Sequence, residues 1–426
     1  MPPRLQGLLE GVELSVASAF SCYVAYEYWS TWAASLEGLV GASAALAMSA
    51  LCLVKALAPR QLGLKVLPPA TVVASAGLLL VKSVAQALST GGVVYGTDAM
   101  ALVHGAALEV LKGVNPYTVS LAKYLERFGL SYRYVTPTMD GGFIDGLVYP
   151  ALSFLAFTPL IYLGLEDLRP IVLAFCASSL ITVYLLAPRR SRCLAFVAAS
   201  VPLIAMSVYG VFDVVWVLLL MLSLKAWDRH RALSWALIGL AASFKQLAWA
   251  AVPFMAVREA RKRGPSSTAT AMLVATLVFT AVNLPFIVSS PTQWTKAVLR
   301  PLWPDSPPLV PAGAGLVSLL YAGAPLTPSF LAWTAGLTYL ALLASYVVSR
   351  GEGLRPYWLL LPLVFLLAPR SYLSYWVCWA PLAALDYGGL NSLSPKLPRL
   401  KALLPAAFIV GLVALALSTL LLAPHG

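Results

Sequence analysis

Asp98 is the first residue of the chain whose type and setting suit catalysis. It stands where the apolar run 66–88 gives way to a more polar stretch. A carboxylate at such a boundary can take a proton from a hydroxyl as a general base. Behind Thr97 and ahead of the apolar run 99–112, Asp98 also reads as a helix N-cap, and the two roles are compatible. Asp213 opens another apolar run, where a lone carboxylate is costly unless it has a task. Asp140, Asp145, Lys245 and Arg370 are the other isolated charges of interest. Three histidines (His104, His230 and His425) cannot build a His-based metal cluster. The five cysteines (Cys22, Cys52, Cys176, Cys193 and Cys378) lack C-x-x-C spacing and read as small core residues. Gly239 to Lys245 lacks the spacing of a nucleotide-binding P-loop.

The elements that must hold these groups are membrane helices. Of 426 residues 60% are hydrophobic and 11% charged, and mean hydropathy is +0.82. A soluble domain carries about twice that charged fraction, so soluble, disordered and coiled-coil chains are excluded. The expected fold is an all-α polytopic membrane protein. The net charge of +12 lies in short tracts between apolar runs, so the positive-inside rule explains it and nucleic acid is not an expected partner. The first apolar stretch contains Glu10 and Glu13 and runs into Tyr23, Tyr26, Tyr28, Trp29 and Trp32, an aromatic belt of a retained helix rather than a cleaved signal.

The basic clusters are expected on the cytoplasmic side: Lys55/Arg60/Lys65, Arg189/Arg190/Arg192, Lys225/Arg229/Arg231, Arg258/Arg261/Lys262/Arg263, Arg350/Arg355 and Lys396/Arg399/Lys401. An even number of crossings must separate consecutive clusters. Helices are predicted at 12–32, 38–58, 66–88 and 170–187, with 149–164 as a re-entrant or surface helix about 24 Å long. Segment 194–224 becomes a hairpin with residues 209–213 at its tip, and 232–257 a hairpin turning at Phe244-Lys245-Gln246. Arms that short are tolerable only around a protein-walled wet cavity. Helices at 268–288, 328–349, 356–369, 373–387 and 402–423 complete thirteen crossings, N-terminus inside and C-terminus outside. This divides the chain into an N-terminal hairpin, 1–65, a central module, 66–390, and a final helix, 391–426. Asp98, Asp140, Asp145, Asp213, Lys245 and Arg370 all fall at the outer face, with loops 89–148 (to 169 with the non-crossing segment) and 289–327. Within the first loop, 99–112 is a predicted helix and 118–128 an interfacial amphipathic one. Within the second, the Pro-rich stretch 301–311 stays extended and is a candidate lid or acceptor contact through Trp294 and Trp303.

Tyr95-Gly-Thr-Asp98, followed by His104, Gly113-x-Asn115-Pro116-Tyr117 and Gly146-x-x-Tyr149-Pro150, resembles the GT-C integral-membrane glycosyltransferases. Those using polyprenyl-phosphate mannose are the nearest in look. Asp213, Gly239-x5-Lys245-Gln246, Asn283-Leu-Pro-Phe286, Ser290-Pro-x-x-Trp294 and Arg370-x-Tyr372 agree in order, over residues 66–390. The hairpin 12–58 ahead of the Asp-bearing loop departs from the usual plan, in which that loop follows the first helix.

The resemblance implies an inverting transfer of a hexose, mannose first, from a polyprenyl- or dolichyl-phosphate donor at the extracytoplasmic face. The acceptor would be a hydroxyl of a glycan, glycolipid or protein. Asp98 matches the family's base. A phosphate leaving group needs a cation nearby rather than an acid, and Lys245 and Arg370 suit that place, with Lys82 and Arg300 behind them. Snorkelling to lipid headgroups is the alternative for each. His104, Asn115, Tyr117, Asp145, Tyr149, Asp213 and Trp294 are expected around acceptor or sugar, or supporting those that are. Some members use a divalent ion; Asp140, Asp145 and Asp213 are the oxygen ligands on offer for Mg²⁺ or Mn²⁺, although Asp-x-Asp is absent. A transporter or lipid flippase is the rival expectation. A non-catalytic subunit of a glycosylation complex is a third.

Overall fold

The computed structural model describes residues 3–32, 35–57, 67–89, 92–130, 135–188, 193, 196, 201–300, 307–349 and 353–386. The helix expected at 402–423, the outer C-terminus, the basic clusters at 189–192 and 396–401, and Arg60, Lys65, Arg133, Trp303 and Arg350 lie outside them.

Among the described residues the protein is about 74% helical with almost no strand. Three long helices open it: α1 (Pro3–Trp32), α2 (Leu36–Leu57) and α3 (Leu67–Ser89). The segment after α3 carries α4 (Asp98–Leu111), α5 (Ala122–Arg127), α6 (Leu152–Leu155) and α7 (Thr158–Tyr162). Then come α8 (Arg169–Leu186), α9 (Val201–Val208), α10 (Val214–Ala226) and α11 (Arg231–Phe244). A 3₁₀ turn (Gln246–Ala251) leads into α12 (Val252–Arg263), α13 (Pro265–Ser289) and α14 (Pro291–Val298). The remainder is β1 (Ala312–Gly313), α15 (Ser318–Tyr321), α16 (Pro328–Val348), α17 (Arg355–Leu367), β2 (Arg370–Ser371), α18 (Leu373–Val377) and α19 (Trp379–Leu385).

Among the described residues five helices are long and apolar enough to cross a membrane: α2, α3, α8, α13 and α16. The most apolar windows of α13 and α16 are only 17% buried against the rest of the protein. A helix apolar on every side and so little covered by protein is stable only in lipid. Proline at the first helical position starts both, where its missing N–H costs nothing, and the Thr327 side chain accepts from Phe330 N–H to cap α16.

The turns expected within 194–224 and 232–257 are present, although residues 194, 195 and 197–200 of the first arm lie outside the described residues. Between α9 and α10 the chain turns at 209–213. Helix α11 stops at Lys245, whose backbone is extended (φ −154°, ψ 141°), and α12 returns. The returning arm brings Glu259 between Arg231 and Arg263, 2.7 Å from each. Arg258 reaches Asp386 at 3.5 Å, and Asp386 accepts from Leu354 N–H at 2.8 Å. The ends of α10, α12, α17 and α19 that carry or meet the basic clusters therefore share one end of the molecule. Asp213, Lys245 and Arg370 stand at the opposite ends of α10, α11 and α17, about 20 Å away along helices of 13–14 residues.

Two elements between α3 and α8 differ from expectation. Segment 149–164 is not one helix but α6 and α7, because Pro159 can begin a helix and cannot continue one. The predicted helix 118–128 shrinks to α5, and Leu121, Tyr124, Leu125 and Phe128 are buried against protein instead of lying on lipid. Of the Pro-rich stretch 301–311, residues 307–311 are described; they form no helix and lie between the first loop and the chain entering α18. Met139 N–H donates to Pro308 O (2.8 Å) and Val310 N–H to Pro137 O (3.0 Å), while β1 pairs in parallel with β2. Gly313 (φ +103°) is required there: a Cβ would lie 2.2 Å from Ser371 O. Gly239 lets α11 touch α13, since a Cβ would meet Ala275 O at 2.5 Å.

Candidate functional site

Helix α4 is capped by Thr97, whose hydroxyl accepts from Met100 N–H at 3.3 Å, so the cap expected of Asp98 belongs to its neighbour. Asp98 is the first helical residue. Its Oδ2 accepts from Thr136 N–H at 2.8 Å, and its Oδ1 has no hydrogen-bond partner among the described residues. One oxygen is thus oriented and the other is free to accept. Gly96 N–H donates to Tyr209 O (2.9 Å), pinning the start of α4 to the turn that carries Asp213.

Arg370 reaches the same place from the other end of the chain. Its guanidinium donates to Val310 O (3.1 Å), to Thr136 Oγ1 (3.3 Å) and to the Tyr372 hydroxyl. Thr136 therefore joins the two, its N–H on Asp98 and its hydroxyl on Arg370, which lies 234 residues further along. No carboxylate among the described residues forms an ion pair with Arg370.

Lys245 and Asp213 find each other instead, Nζ to Oδ1 at 2.6 Å, both buried. Trp216 Nε1–H donates to the same Asp213 oxygen at 3.0 Å. The ammonium is surrounded by the rings of Tyr149, Phe212 and Tyr375 at 5.2, 5.2 and 5.6 Å. Extending the α11 backbone at Lys245 is what turns this side chain into the cluster. Tyr375 had no place in the sequence expectations. It lies within electrostatic reach of Lys245, Asp213, Arg370 and Asp98 together, and its hydroxyl has no hydrogen-bond partner among the described residues. Tyr149 is within reach of Lys245, Tyr375, Asp98 and Asp213. The one sequence signal for Tyr375 is its spacing, Arg370-x-Tyr372-x-x-Tyr375 at the start of a helix.

The remaining expected residues brace this cluster rather than enter it. Tyr117 donates its hydroxyl to Tyr149 O (2.7 Å), while Asn115 accepts from Tyr117 N–H (3.0 Å) and donates to Ser289 on α13 (2.8 Å). Trp294 is buried and stacks edge-on with Phe279. His104 Nδ1 meets the Tyr95 hydroxyl at 2.9 Å, and that hydroxyl accepts from Leu168 N–H. Burial pushes the imidazole pKa down to about 4, which keeps it a neutral strut. Lys82 is paired with Glu27 at 2.8 Å, away from the cluster. Arg300 lies in electrostatic reach of Asp140 and Asp145. Asp140 closes its own turn by accepting from Thr138 and Gly142. Asp140, Asp145 and Asp213 are thus not drawn together as a ligand set. No three Asp, Glu, His or Cys side chains converge on a metal position among the described residues.

The loop that carries Asp98 is clamped by Glu109, which takes bonds from Lys123 (2.7 Å), Tyr124 and Lys112 (3.1 Å). Lys123 first, then Tyr124, hold its carboxyl down at about 2, against an ordinary 4.5. A carboxyl lowered on folding stabilises fully above its unfolded value and loses that contribution as pH falls through the folded one. The thermal midpoint of the detergent-solubilised protein is therefore expected to fall between about pH 4.5 and 2. Glu109→Gln should lower it at pH 7 and flatten its dependence in that window; an unchanged slope would count against the clamp.

No protein-family model matches the chain, and no curated protein matches it.

Proposed function

We propose that the protein is a membrane glycosyltransferase of GT-C type that moves a hexose, mannose first, from a polyprenyl-phosphate donor to a hydroxyl acceptor. The observation that carries this is the meeting of Asp98 and Arg370 on Thr136. A half-free carboxylate and a guanidinium with no acidic partner among the described residues, both bonded to one residue, match the two charges such a reaction creates. Asp98 Oδ1 takes the proton of the acceptor hydroxyl. The resulting oxygen attacks the anomeric carbon from the face opposite the phosphate, and the configuration inverts. The C–O bond to phosphate breaks, its electron pair leaves on the phosphate, and Arg370 holds the added negative charge. The polyprenyl tail stays in the bilayer, which suits a site at the ends of membrane helices. Placing the basic clusters in the cytoplasm puts this end on the extracytoplasmic side, with the N-terminus inside and the C-terminus outside.

The test is transfer of radiolabelled sugar from polyprenyl-phosphate mannose and glucose into membrane extracts containing the protein. Label appearing in an acceptor from the lipid donor, and not from a sugar nucleotide in lipid-free assay, is the expected result. No transfer from either lipid donor across a broad acceptor pool would overturn the proposed activity in favour of a transporter or a scaffold.

A further inference from the structure

Lys245 was expected to neutralise the donor phosphate directly, and its geometry leads elsewhere. The ammonium is buried, paired with Asp213 at 2.6 Å, and walled in by three aromatic rings. It can act on a ligand only through what stands in front of it. Tyr375 stands there, its ring 5.6 Å from Lys245 Nζ and 5.5 Å from the ring of Tyr372, whose own hydroxyl is held by Arg370. Of these two tyrosines, Tyr372 has its hydroxyl engaged and Tyr375 has its hydroxyl without a partner among the described residues. The backbone fixes the second ring, because Tyr375 N–H donates to Tyr372 O at 2.9 Å and Tyr375 O accepts from Trp379 Nε1–H at 3.0 Å. A phenol beside a cation is a stronger hydrogen-bond donor, and a donor aimed at developing negative charge acts where the transition state differs most from the ground state.

We infer that Tyr375 is a further catalytic residue: its O–H donates to the phosphate oxygens beside Arg370 as the sugar leaves, with the Lys245–Asp213 pair as its positioning group. This rests on the proposed glycosyl transfer. The step moves no proton off the tyrosine. The anomeric C–O bond breaks, the phosphate keeps the electron pair, and the hydroxyl hydrogen bond tightens on the oxygen that gains charge. The site thereby takes one phosphate bearing a lipid, recognised by one guanidinium and one phenol.

Tyr375→Phe keeps the ring and removes only the donor. Two measurements on the full chain in detergent decide the matter: the saturated rate of sugar transfer, and binding of farnesyl phosphate set against farnesol. The expected result is a rate about 100-fold lower, with farnesyl phosphate bound about tenfold more weakly and farnesol unaffected. If the wild type transfers sugar and Tyr375→Phe stays within about threefold of it, with farnesyl phosphate binding unchanged, the role of Tyr375 is overturned and the proposed activity stands. If the wild type transfers nothing yet prefers farnesyl phosphate over farnesol, and the variant loses that preference, the activity is overturned while Tyr375 keeps its phosphate. A wild type that transfers nothing and shows no such preference overturns both.

Discussion

Asp98→Asn is expected to lower sugar transfer by about 10³-fold without unfolding the protein, within the range that general base catalysis contributes. The substitution is nearly isosteric. Thr97 supplies the cap of α4, so the helix start does not depend on the carboxylate. The Asn carbonyl can still accept from Thr136 N–H, as Asp98 Oδ2 does at 2.8 Å. What is lost is the second oxygen as a proton acceptor, since an amide cannot take the acceptor's proton at neutral pH. Donor binding should be nearly unchanged, because Arg370 keeps its bonds to Thr136 and Val310. The measurement is a pair of rates, wild type and variant, at saturating donor, with thermal midpoints recorded on the same preparations. Equal rates would remove Asp98 from the chemistry. A lost rate accompanied by a collapsed midpoint would make it a structural residue.

How far these residues could be read from the chain depended on which force placed them. Charge asymmetry and segment length are local quantities, so the turns at 209–213 and at Lys245 were legible, and so was the lack of a spanning-length helix at 149–164. The turn at Lys245 follows from the requirement that Arg231 and Arg263 share a side, which the structure meets through Glu259. The same bookkeeping put Asp98, Asp213, Lys245 and Arg370 at one end. It could not tell that Lys245 and Asp213 neutralise each other while Arg370 has no acid beside it among the described residues, because that is decided by where a single extended residue throws a side chain. Thr136 and Tyr375 were invisible for a related reason. One acts through its backbone N–H as well as its hydroxyl, and the other matters only through neighbours from four separate segments. Tyr117 stood in the motif and turned out to brace Tyr149, with Asn115 bonded to Tyr117 and Ser289. The amphipathic pattern of 118–128 was read against lipid when protein was the apolar partner, and periodicity alone does not distinguish the two.

Removing Lys245 alone should be the most destabilising single change in the cluster. Lys245→Met leaves the Asp213 carboxylate buried with only the Trp216 N–H on the oxygen the ammonium used to share, at 3.0 Å. Breaking one partner of a buried pair costs about 3–5 kcal/mol, because the remaining charge is neither solvated nor matched. Replacing both, Lys245→Met with Asp213→Leu, removes the two desolvation costs together and is expected to restore the thermal midpoint to near the wild-type value. The double variant then separates structure from chemistry. It should be folded and slow, since Tyr375 keeps its position beside Phe365 and Tyr372 but no longer faces an ammonium at 5.6 Å. A folded double variant that transfers sugar at the wild-type rate would reduce the pair to a packing element. A Lys245→Met protein as stable as the wild type would mean that Asp213 is solvated or protonated, and that Lys245 is free to meet a phosphate itself.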